Sequence, residues 1–151
     1  MQKEDKTYRF GCNLIKWWSG INLFLSFLIL FVVATGIGNS PLFSMVFTKN
    51  EVLELPDKVI KAMNCLTILY NSYAVAMSIV VWFIVNKGLK NKEVWAYFAI
   101  LISIGIATVF SFIATAPFNF TRWQVNVVLA LLFLVGITLT GKDILAKNHK
   151  A

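Results

Sequence analysis

Histidine occurs once in this chain, cysteine twice and proline three times, and seven carboxylates stand against 14 lysines and arginines. Each shortage excludes something. The only histidine, His149, lies two residues from the last position and has no second ligand at metal-binding spacing, so no zinc set can be written. Cys12 and Cys65 form no CxxC pair and flank different runs of apolar sequence, so both are expected as free thiols. No GxSxG, HExxH, P-loop or GxGxxG string occurs. The parts for Ser–His–acid, metal and nucleotide chemistry are therefore missing. Glu4, Asp5, Glu51, Glu54, Asp57, Glu93 and Asp143 all fall outside the long apolar runs. An intramembrane carboxylate is the usual element of a proton-coupled transporter, so that class is disfavoured too. The chain reads as no enzyme, with no cofactor and no metal.

What is present is apolar. Hydrophobic residues make up 58% of the 151 positions and charged ones 14%, against about 45–50% and about 25% in ordinary globular chains. The mean hydropathy is +0.73. A soluble domain of this size could not bury so much side chain, and a disordered one would be polar and charged. Four runs, Trp17–Ile37, Ala62–Val85, Val94–Ala116 and Trp123–Thr140, contain no Lys, Arg, Asp, Glu or His. A hydrocarbon core of about 30 Å needs about 20 helical residues, so each run can span it. The runs are too long and continuous for barrel strands. The expected fold is all-α: one transmembrane domain over residues 1–151, an integral membrane four-helix bundle.

Lys3, Lys6, Arg9 and Lys16 ahead of an apolar run resemble the start of a signal peptide, and Val32-Val33-Ala34 offers a small-residue cleavage site. The uncharged stretch of 21 residues exceeds a signal peptide's apolar segment, so the first span is expected to stay as an anchor. Counting basic residues on alternate sides sets orientation. With the N-terminus cytoplasmic, ten lie inside, among them Lys87, Lys90, Lys92 and Lys142. Four lie outside: Lys49, Lys58, Lys61 and Arg122. Both termini are expected in the cytoplasm. The net charge of +7 is scattered over loops that flank spans, which suits anionic headgroups rather than nucleic acid.

The longest connection, Gly38–Lys61, carries turn chemistry at Asn39-Ser40-Pro41 and a capping box at Thr48-Lys49-Asn50-Glu51. A short helix is expected there, in the first outer loop, stopped before Pro56. It acts either as a lid that packs the bundle or as a cap over a cavity. The other two connections are short, which makes the second, third and fourth helices antiparallel neighbours.

Inside the spans, Asn64, Asn71 and Ser78 recur at seven with Thr67 between them, so they share one face of the second helix. Ser103, Ala107, Ser111 and Thr115 recur at four along the third, a ladder that permits close approach. Asn22 with Ser19 and Ser26 marks a face of the first helix, and Asn126 with Ala130 a face of the fourth. These groups are either hydrogen-bonding glue between helices or the lining of a pocket for an amphiphile. The candidate site, in the outer half, comprises Asn64, Thr67, Asn71, Ser111, Thr115 and Asn126, with Arg122 at its mouth. Arg122 opens the fourth helix, where a cation opposes the helix dipole, so it either meets headgroup phosphate or binds an anionic ligand.

The basic turn Lys87–Lys92, the stretch Glu93-Val94-Trp95-Ala96-Tyr97 that opens the third helix, and Asn126 near the start of the fourth complete a pattern of four short-looped spans. In this the chain resembles the DoxX-like small bacterial membrane proteins. The resemblance implies a four-helix architecture in a bacterial inner or plasma membrane and carries over no activity and no functional residue. The leading expectation is a non-enzymatic protein of the lipid bilayer that binds a partner, another membrane protein or a second copy of itself, or serves as an accessory component of a membrane complex. The alternatives are a carrier of a small amphiphile and a pore made by several subunits.

Overall fold

The computed structural model describes residues 2–41, 43, 47–115 and 123–148. Among them the regular structure is helical: α1 (Gln2–Ala34), a short α2 (Lys49–Glu54), α3 (Asp57–Lys87), a single 3-10 turn (Leu89–Asn91), α4 (Val94–Thr115) and α5 (Trp123–Asn148). α1, α3, α4 and α5 are each long and apolar enough to cross a membrane. Their outward side chains suit lipid: Phe24, Phe27, Phe31, Phe83 and Phe110 are all more than half exposed.

The helix ends have local causes. α1 runs through the charged leader and stops at Ala34, short of the Ile37 that absence of charge suggested. Gly36 takes the left-handed conformation at φ +71, and its N–H donates to the Val33 carbonyl at 3.2 Å, which closes the helix. α2 begins in a capping box. Thr48 N–H donates to Glu51 Oε2 at 2.7 Å while Glu51 N–H donates to Thr48 Oγ1 at 3.4 Å. Those bonds to Thr48 hold the Glu51 carboxyl below its ordinary pKa. No residue of α2 is buried, and Leu53 is 84% exposed, so the helix turns that side chain away from the protein. Pro56 lies just ahead of α3, its carbonyl accepting from the N–H groups of Val59 and Ile60. α5 continues eight residues past Thr140 because nothing in Gly141-Lys142-Asp143 breaks it.

The chain divides into two compact units, residues 1–21 with 79–151, and residues 22–78. The first has an apolar core. Ile15, Val81, Val85, Leu89, Ile100, Ile104 and Ile144 are fully buried, repeating at four along α3 and α4. Glycines let its helices close: a Cβ on Gly136 would stand 2.8 Å from Ile15 and 3.1 Å from the Gly11 carbonyl. The second unit buries Val33 and Phe43 together with hydroxyls and amides, among them Ser26, Ser40, Thr67, Asn71 and Ser78. Where the solvent is lipid, apolar contact gives helices little reason to associate, and hydrogen bonds of this kind supply it.

Candidate functional site

Three of the seven sequence-selected residues converge in the unit of residues 22–78. Asn64 Oδ1 accepts the Ser40 backbone N–H at 2.8 Å, and its Nδ2 donates to Asn39 Oδ1 at 3.3 Å. Thr67 Oγ1 and Ser40 Oγ share a hydrogen bond of 2.5 Å. Asn71 Nδ2 donates to the Thr67 carbonyl at 2.8 Å, within its own helix. Two turns further along α3, Asn22 Nδ2 donates to Ser78 Oγ at 2.8 Å, while Ser78 Oγ donates to the Ala74 carbonyl. Two of these groups tie the turn after α1 onto α3, and one ties α1 to α3. Asn64 and Thr67 are engaged in holding backbone and side chain in place.

The other four are placed differently. Ser111 on α4 and Asn126 on α5 belong to the first unit and are half-buried. Thr115 ends α4, and Arg122 lies outside the described residues. In the small-residue ladder Ser103 is half-buried and Ala107 exposed. Gly105 beside it has open space where a Cβ would stand. The tight approaches are made by Gly11, Gly88, Gly136 and Gly141. Cys12 is buried and Cys65 exposed, both as free thiols. Among the described residues no group of His, Cys, Asp and Glu could hold a metal.

Sequence reasoning missed a second polar region, in the first unit. There the Tyr8 hydroxyl donates to the Leu89 carbonyl, Lys92 Nζ stands 4.7 Å from the centre of the Tyr8 ring, and the same ammonium lies 3.8 Å from Asp143 Oδ2. Lys92 reaches this position from a left-handed backbone at φ 58, which ends the 3-10 turn. Asp143 Oδ2 is buried with no hydrogen-bond partner among the described residues. Beside this junction opens a recess of about 720 Å³, lined by Thr7, Tyr97, Thr138, Gly141, Lys142 and Asp143 with leucine walls. Its residues come from three helices, so no run of sequence shows it. The available signal was Lys142-Asp143, a charge pair on the last turns of an otherwise apolar helix.

A third feature is an exposed face on α3. Leu66, Leu69, Tyr70 and Tyr73 follow helical spacing and are 52–70% exposed, the two tyrosines most of all.

The chain matches no protein-family model, no curated protein and no solved structure.

Proposed function

We propose that this is a non-enzymatic membrane protein that docks a transmembrane helix of a partner protein, as an accessory component of a membrane complex. One observation carries the reading. Tyr73 stands eleven residues from Ala62 and twelve from Val85, the ends of the uncharged run, and it is 70% exposed, with Tyr70 beside it at 68%. Tyrosine favours the two interfaces of a bilayer, where its hydroxyl is wet. At mid-depth a hydroxyl facing hydrocarbon goes unsatisfied and costs a few kcal/mol on alkane-like scales. A partner helix that presents a carbonyl, serine or asparagine removes that cost and covers Leu66 and Leu69 as well.

The count of basic residues favours both termini and the Lys87–Lys92 turn in the cytoplasm and α2 on the outer side. A cysteine introduced at Lys90 is then labelled only after permeabilisation, and one at Glu54 in intact cells. The reverse result inverts the orientation.

The docking reading is tested with a photo-crosslinking amino acid at position 73, 70 or 109 in native membranes. Position 109 serves as a control because Val109 is exposed on an apolar stretch of α4. Positions 73 and 70 should give one discrete protein adduct that position 109 does not. An adduct of twice 17.0 kDa identifies the partner helix as that of a second copy. Lipid adducts alone at all three positions overturn the proposal.

A further inference from the structure

The recess in the first unit has the depth, the walls and the charges of a lipid-headgroup site. Depth comes first. The uncharged run on α5 ends at Thr140, so Thr138 lies on its last turn and Lys142 and Asp143 just past it. The recess therefore lies where hydrocarbon gives way to water. Its approach comes second. On α5, Val128, Leu131, Val135, Thr138 and Lys142 are spaced three and four residues apart and share one face. Val128, Leu131 and Val135 are 53%, 55% and 45% exposed. An acyl chain laid along them arrives at Thr138 and Lys142.

The charges come third. Lys142 is exposed, a cation at the mouth with reach along the helix. Asp143 is held through Oδ2 against Lys92 at 3.8 Å and stays 20% exposed, so its other oxygen is left as an acceptor. Tyr97, whose hydroxyl end is pressed against Gly141 where a Cβ would come within 2.5 Å of it, forms the back wall. A cation and an acceptor on adjacent residues match a ligand that presents a phosphate and, a few atoms further on, a hydrogen-bond donor.

We propose that the recess seats a phospholipid headgroup of that kind, with Lys142 on the phosphate and Asp143 on the donor. Ethanolamine offers this chemistry through its ammonium N–H groups, and glycerol through its hydroxyls. Choline carries the same phosphate but no N–H or O–H. The site does not depend on the docking face of α3.

The test uses the full chain in detergent, titrated with phosphatidylethanolamine, phosphatidylglycerol or phosphatidylcholine of identical acyl chains, with bound lipid read by native mass spectrometry. The first two are expected to be retained about tenfold better than the third, the scale of one charge-assisted hydrogen bond. Preference for ethanolamine alone identifies the ammonium as the donor, and preference for glycerol alone identifies the hydroxyls. Lys142→Gln, an exposed change that leaves the fold intact, should lower retention of both by a similar factor. Asp143→Ala should abolish the preference over choline. Should that variant unfold through loss of the Lys92 contact, Lys142→Gln carries the test. Lys58→Gln, which removes a lysine charge from the unit of residues 22–78 and from none of the recess residues, should change nothing. Equal retention of the choline lipid overturns the proposal, as does an unaltered Lys142→Gln or an equal loss in Lys58→Gln.

Discussion

Gly88→Ala is expected to lower the stability of the protein by about 1–3 kcal/mol, the range for overpacking a filled site. Gly105→Ala, the same change in the next long helix, should be neutral or stabilise by about 0.5–1 kcal/mol. At Gly88 a new Cβ would lie 2.5 Å from Ala96 Cβ, 2.9 Å from the Trp95 ring and 3.2 Å from the Ile84 carbonyl. Ala96 is fully buried and its Cβ is fixed to the backbone, so no rotamer change can make room. The start of α4 would have to move off the end of α3, and with it the 3-10 turn that carries Leu89 and Lys92. At Gly105 nothing lies within 4 Å of the added methyl, and alanine costs less backbone entropy than glycine in a helix. Unfolding midpoints in a mild detergent, for the two variants side by side, check this. Equal midpoints would mean that the turn does not pack as described.

The contrast between these two glycines shows what the sequence makes legible. The four spans could be read because charge is absent from them, and burying a charge in lipid is too costly for its absence to be accidental over 18 to 24 residues. The capping box at Thr48 was legible because its bonds are local, between residues three apart. Helix ends set by backbone conformation were less so. α1 stops at Ala34 because Gly36 turns left-handed, and apolar Ile37 gave no warning of it. Close approaches were not legible at all. Gly88, Gly105, Gly136 and Gly141 look alike in the chain, and only the element facing each one separates a packed glycine from an open one. The recess escaped for the same reason, since Thr7, Tyr97 and Lys142 are brought together by three helices and share no spacing.

The polar heptad of α3 is the finer case, because its three members read as equivalents and are used in three ways. Asn64 holds the turn after α1, Asn71 bonds its own helix, and Ser78 receives Asn22 of α1. Substitution by leucine should therefore cost unequal amounts. Asn64→Leu removes the acceptor of the Ser40 N–H, and Ser40 is only 3% exposed, so the amide has no water to turn to. Loss of a hydrogen bond of this kind costs about 0.5–1.5 kcal/mol, and the bond to Asn39 is lost as well, which makes this the costlier change. Asn71→Leu removes a donor to the Thr67 carbonyl, an oxygen in mid-helix that also serves the ordinary helical ladder. Its cost should stay near the average for polar groups between membrane helices, about 0.6 kcal/mol. Hydrogen exchange separates the two without reference to total stability. The Ser40 amide should exchange faster in Asn64→Leu, remain protected in Asn71→Leu, and recover in Asn64→Asp, whose carboxylate keeps an acceptor at the same place. If Asn71→Leu proved the costlier change and Ser40 stayed protected without Asn64, the clamp would not lie where these hydrogen bonds put it.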